Sequence, residues 1–133
     1  MVALDPGSVR IGVAVSDSSR SLAFPRPAVA GGPGEAERCA EVARDEEART
    51  VIVGHPIRLD GTEGTAAQLA AELAASLAQL LAPDGIEVLL HDERLTTVTA
   101  SSRLRDRGVD ARGARSRVDS AAAVVLLEAW MGT

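Results

Sequence analysis

Hydrophobic and polar positions alternate most clearly from Arg10 to Ser16, where Ile11, Val13 and Val15 are separated by Gly12, Ala14 and Ser16. A period of two marks a strand. Val2-Ala3-Leu4 is a shorter apolar run that ends at Asp5, and Pro6-Gly7 turns the chain behind it. So tight a turn predicts antiparallel pairing of these two strands. Ser18-Ser19 predicts another turn, with a third short strand up to about Phe24. Thr50-Val51-Ile52-Val53-Gly54 and Ile86-Glu87-Val88-Leu89-Leu90 read as two further strands, the first buried on both faces. Residues 35–48 read as an acidic surface helix. Residues 62–82 form the clearest helix, with Leu69, Leu73, Leu77 and Leu80 on one stripe and Pro83-Asp84-Gly85 as its stop. Thr96 or Thr97 caps a helix that ends at Gly108, residues 109–115 form a loop, and a last helix covers roughly 116–131.

The element order β-β-β-α-β-α-β-α-α is that of an α/β chain. Strand–helix–strand connections imply parallel neighbours joined by right-handed crossovers. A mixed five-stranded sheet with helices on both faces follows, and analogy of element order suggests the ribonuclease H-like fold. The 133 residues suit one domain spanning 1–133. The first strand is short before Asp5, as though a few residues were clipped from it.

Composition then removes chemistries. All 14 basic residues are Arg, so a Walker-type phosphate loop and a lysine nucleophile are excluded. The one cysteine, Cys39, rules out an internal disulfide and a multi-cysteine zinc site, and fits a reducing, cytoplasmic setting. Phe24 and Trp130 are too few for a platform that stacks nucleobases on aromatic rings. No segment resembles a membrane span or a signal peptide. The net charge is -5, yet residues 94–117 hold Arg94, Arg103, Arg105, Arg107, Arg112, Arg115 and Arg117 against only Asp106 and Asp110. This basic segment on an acidic body either binds phosphates or is a solvated face.

Topology sorts the acids, because ligands in such sheets sit beyond the carboxyl ends of the parallel strands. Asp5 ends the first strand, and Asp92 and Glu93 follow a strand parallel to it. Asp17 belongs at the far edge, and Asp60 on a loop. At 100° per residue, Ala123, Leu126 and Trp130 fall within about 40° of Asp119, which therefore shares the apolar stripe facing the sheet. The plainer alternative for Asp119 is an acid favouring a helix N-terminus. Three carboxylates brought together repel unless divalent cations neutralise them, and hard oxygen ligands suit Mg²⁺ or Mn²⁺. Two such ions would assist a phosphodiester displacement in which water attacks. Adjacent residues on a strand point to opposite faces, so only one of Asp92 and Glu93 reaches the ions. Glu93 has the longer reach.

Four segments resemble the YqgF family, also called RuvX. They are Leu4-Asp5-Pro6-Gly7-Ser8-Val9-Arg10-Ile11-Gly12-Val13-Ala14-Val15-Ser16-Asp17, Val53-Gly54-His55-Pro56 with Asp60-Gly61-Thr62-Glu63-Gly64, His91-Asp92-Glu93-Arg94-Leu95-Thr96-Thr97, and Val118-Asp119-Ser120-Ala121-Ala122-Ala123. The resemblance covers nearly the whole chain, and the Asp-Glu-Arg-Leu-Thr-Thr run is its most specific part. It implies a ribonuclease H-like fold and metal-dependent phosphodiester cleavage linked to processing of pre-16S rRNA, or Holliday junction resolvase-like action on branched DNA. By match, Asp5, Glu93 and Asp119 carry over as the acidic site, with Asp92 as the alternate to Glu93. The chain departs from the pattern at His55, where Leu is common, and in having Arg112, Arg115 and Arg117 where Lys is frequent.

Around these acids, Arg10 and Arg94 either steady the scissile strand or pair with Asp5 and Glu93. Arg103 follows a helix toward its end, so pairing with the macrodipole competes with nucleic-acid contact. His55 and His91 belong at the active edge, where a structural histidine is the simpler reading of each. A homodimer is compatible with the sequence. The rival functions are a catalytically weak RNA-binding ribosome-assembly factor on the same fold, and an actin-like phosphotransferase, which needs two such domains.

Overall fold

The computed structural model describes residues 1–7, 9–56, 64–92 and 111–132, with residues 111–119 described by backbone alone. β1 (Val2–Pro6), β2 (Arg10–Ser16) and β3 (Ala23–Ala30) form an antiparallel meander. It is followed by α1 (Glu35–Asp45), β4 (Thr50–His55), α2 (Thr65–Leu81), a 3₁₀ turn over Ala82–Asp84, β5 (Glu87–Asp92) and α3 (Ala111–Met131). The sheet order is β3-β2-β1-β4-β5, with β1, β4 and β5 mutually parallel. This is the mixed five-stranded sheet expected from the hydrophobic pattern.

Side-chain alternation splits the core in two. Val2, Leu4, Ile11, Val13, Val15, Val51 and Val53 point to the face covered by α1 and α2. Each fully buried aliphatic side chain there contributes about 1.5–3 kcal/mol before entropy is counted. Ala3, Ala14 and Ile52 point to the opposite face, against Ala123, Leu126 and Leu127 of α3. The small side chains at 3, 14 and 123 let α3 lie close to the sheet. Helices therefore cover both faces.

Several features depart from the sequence reading. The third strand begins near Phe24 rather than ending there, and continues through Pro25 and Pro27. A proline-containing run reads as a break, but β3 is an outer strand, where a missing N–H is tolerated. On α2, Leu73 and Leu77 are buried as expected, whereas Leu69 is 57% exposed. Alanines 67, 70 and 74 carry much of the buried stripe, so leucine spacing alone misplaces it. The acidic helix stops at Asp45, and Ala48 packs into the core beyond it. The last helix begins at Ala111, so the expected 109–115 loop is helical from that residue onward. Ala111, Arg112, Ala114, Arg115 and Arg117 are strong helix formers, and together they outweigh the cost of about 1 kcal/mol for Gly113.

Candidate active site

The hairpin between β1 and β2 sets the position of Asp5. The Gly7 N–H donates to the Arg10 carbonyl at 2.8 Å. A Cβ on Gly7 would sit 2.6 Å from that same carbonyl oxygen, so the turn closes only around glycine. Val2 and Leu4 occupy the α1/α2 face and Ala3 the α3 face, so Asp5 extends toward α3. Arg10 shares that face with Gly12 and Ala14, at the start of β2. It therefore stands beside Asp5 at the same rim, as expected.

Across the sheet, Asp5 is paired with Gly12 on β2. On its other side the parallel ladder pairs Leu4 with Val53, so Gly54 stands one rung further on, beside Asp5. Gly54 in turn pairs with His91 of β5. One rung of the α3 face thus reads Gly12, Asp5, Gly54, His91. Both glycines are buried and present no side chain, so the carboxylate lies on a floor of bare backbone. Sequence reasoning treated Gly12 as strand geometry and missed Gly54. The available signal was a glycine closing an otherwise continuous apolar strand, which marks close approach by another group.

β5 runs through Asp92, two residues beyond the expected end. Val88 packs on the α1/α2 core and His91 contacts Trp130 of α3, so alternation turns Asp92 toward the α1/α2 face. There it pairs in register with His55, whose Nε2 is buried. Asp92 and Asp5 thus extend from opposite faces of the sheet. His55 and His91 both lie at the carboxyl edge of the parallel strands, as expected.

Position 119 lies on α3, one turn before the buried Ala123, on the stripe that continues through Leu126 to Trp130. Because the helix begins at Ala111, residue 119 is well past its first turn. That removes the alternative of an acid placed for the helix macrodipole, whose effect fades within one turn. The next residue, Ser120, is 2% exposed and donates its hydroxyl to the Arg26 carbonyl of β3 at 2.6 Å. Arg112 and Arg115 belong to the opening turns of α3 rather than to the expected loop, and Arg117 follows them in the helix. Glu93, Arg94, Arg103 and Asp60 lie outside the described residues. Among the described residues, no three His, Cys, Asp or Glu side chains form a metal-holding group.

Other polar groups lie elsewhere. Asp17 is at the opposite rim, as expected, where its carboxylate accepts hydrogen bonds from the backbone N–H groups of Leu22 and Ser21 and from the Ser19 hydroxyl. Those donors hold its pKa far below the usual carboxylate range. Burial pushes the Cys39 thiol up to about 12, which makes it a core group and not a nucleophile. A cavity of about 490 Å³ between α1 and α2 is lined by Glu35, Glu37 and Glu72, a charge that repels phosphate. Among the described residues, no helix is long and apolar enough to cross a membrane.

Comparison with known proteins shows the family and the fold. The family model described as RuvX, Holliday junction resolvase, matches residues 1–133. A curated relative from Thermobifida fusca (strain YX), named "Putative pre-16S rRNA nuclease", is 48% identical over 139 residues, covering 99% of this chain and 86% of the relative. A protein of the same name from Anaeromyxobacter dehalogenans (strain 2CP-C) is 47% identical over 131 residues, covering 96% of this chain and 93% of its own. Among solved structures, Thermus thermophilus RuvC superposes with a TM-score of 0.58 at 18% identity, covering 100% of this chain and 98% of that one. RuvC from the same organism in complex with a Holliday junction substrate gives 0.57 at 19% identity, covering 100% and 97%. The likeness is one of fold, and the fold is the ribonuclease H-like one expected from the element order.

Proposed function

Because the chain belongs to the RuvX family, we propose that it is a metal-dependent nuclease that hydrolyses phosphodiester bonds of structured nucleic acid. Its substrate on this reading is precursor 16S rRNA in the cytoplasm, in line with the names of its relatives, with branched DNA as the second candidate. The observation that carries the proposal is Asp5 on a glycine floor, under the helix that bears residue 119.

We assign Asp5, Glu93 and Asp119 as the acidic site. Asp92 turns toward the α1/α2 face, away from that of Asp5, which favours Glu93 as the third carboxylate. The donor set is all carboxylate oxygen, with no cysteine at hand, and the bare backbone of Gly12 and Gly54 leaves room for a hard cation. Mg²⁺ or Mn²⁺ held there supplies charge stabilisation to the attacking and leaving oxygens. The chain's own residues do the rest. Asp5, with Glu93 and Asp119, would hold the ion at the rim, and Arg10 beside Asp5 offsets phosphate charge with a planar fork of donors. Arg94, Arg103, Arg112, Arg115 and Arg117 hold the flanking backbone. In the reaction a water oxygen bonds to phosphorus, one ester P–O bond breaks, and the water proton ends on the leaving oxygen.

A cleavage assay tests this. Precursor rRNA, junction DNA and single strands are each incubated with Mg²⁺, Mn²⁺ or EDTA. Wild type is expected to cut in a metal-dependent way, whereas Asp5→Asn and Asp119→Asn keep their circular dichroism spectra and lose cleavage. Equal cleavage by all three proteins defeats the assignment. Salt-sensitive RNA binding with no cleavage favours the assembly-factor reading.

A further inference from the structure

The rung that carries Asp5 ends at an aromatic pair. His91 and Trp130 meet edge to face, with ring centroids 5.5 Å apart and planes at 87°. This lies in the favourable range for such pairs and fixes the indole's orientation. Trp130 is nevertheless 38% exposed, at the margin of α3. Between His91 and Asp5 stands only Gly54, so two strand spacings, about 10 Å, separate the aromatic strand position from the acidic one. No side chain of that rung intervenes.

Trp130 is not part of an apolar docking patch among the described residues. Leu90, 40% exposed on the neighbouring strand, points to the α1/α2 face, whereas Trp130 sits on the α3 side. Phe24 lies on the other outer strand, paired with Val15 near the opposite rim. An oriented and partly exposed indole beside a phosphate-cleaving site suits a planar, apolar group attached to the same phosphodiester backbone.

We infer that Trp130, braced by His91, stacks on an unpaired nucleobase next to the phosphate that is cleaved. The inference rests on the nuclease reading for its substrate. It changes the expectation drawn from aromatic content: two rings are too few for an extended platform, but one ring at the end of that rung suffices for one base. Stacking tolerates any base and requires that base to leave a duplex, so the residue selects for unpaired or branched structure rather than sequence.

The test uses the full chain, in which Trp130 is the one tryptophan and so the one indole emitter. In EDTA, labelled nucleic acid carrying unpaired nucleotides is titrated and binding is followed by anisotropy, with indole emission and acrylamide quenching read in parallel. Emission is expected to fall and acrylamide access to drop on saturation with the unpaired substrate, and much less with a fully paired duplex. Under cleavage conditions, Trp130→Leu, which keeps apolar packing, is expected to raise KM about five- to a hundredfold while leaving kcat within a few-fold, and Trp130→Phe to restore most of the loss. Should Trp130→Leu fail to fold, the wild-type emission and Trp130→Phe decide. Unchanged emission at saturation, or an unchanged KM in folded Trp130→Leu, overturns the inference. Cleavage with no tryptophan response leaves the nuclease standing and stacking refuted. Quenching without cleavage does the reverse, and absence of any binding removes both.

Discussion

Replacing Ser120 by Ala isolates one bond that joins the last helix to the sheet. The hydroxyl is 2% exposed and donates to the Arg26 carbonyl at 2.6 Å across 94 residues of sequence. Removing the donor deletes a part-buried hydrogen bond, which costs about 0.5–1.5 kcal/mol. Alanine is the better helix former and returns about 0.5 kcal/mol. The net expectation is a loss of up to about 1 kcal/mol, or a drop of up to about 4 °C in Tm for a chain of this size. Equilibrium urea unfolding gives the cleanest measurement, because the midpoint should fall while the slope stays constant. Cleavage should fall as well, since Asp119 is the adjacent residue and the anchor sets its height above the sheet. A midpoint equal to wild type within error would show that β3 and α3 are held together by something other than this bond.

Gly7→Ala places a methyl group 2.6 Å from a backbone oxygen, so the β1–β2 hairpin must open. A loss of about 1–3 kcal/mol is expected in urea unfolding, together with reduced cleavage because Asp5 shifts with the hairpin. For Asp17 the sign follows from its lowered pKa. Its carboxylate favours the folded state above the ordinary aspartate range. That contribution disappears as pH falls, because the unfolded chain takes up the proton first. Asp17→Asn should therefore be less stable than wild type near pH 6, with the gap closing toward about pH 2; a gap constant with pH contradicts the capping geometry.

The strands were legible where burial imposes a period. Val2 to Leu4, Ile11 to Val15 and Val51 to Val53 each carry a side chain that must choose a face, and the pairing followed. β3 was not legible, because Pro25, Arg26 and Pro27 bury little and owe their extended form to β2 beside them. The start of α3 was hidden by Gly113, a local penalty that the surrounding alanines and arginines outweigh. For the site, Asp5 could be placed from one turn, and Asp119 from the angular spacing of Ala123 and Leu126. The choice between Asp92 and Glu93 could not be made from alternation, because it depends on the rung at which β5 ends. Gly54 and Trp130 could be given no role at the site for a related reason. Gly54 shares a rung with Asp5 and Trp130 touches His91 at the end of that rung, and rung membership is a property of three chain segments at once.

α3 grips β3 through Ser120 near its middle and reaches β5 through Trp130 near its end, so a single rod fastens both outermost strands. Everything it fastens leaves the ribosome earlier than it does. Until the rod docks, Ala3, Ala14 and Ile52 face water and half of the core has no lid, which makes the nascent sheet a species for chaperones to guard. The moment of docking also finishes the rim, so the face that carries Asp5 is completed only when the last helix is in place.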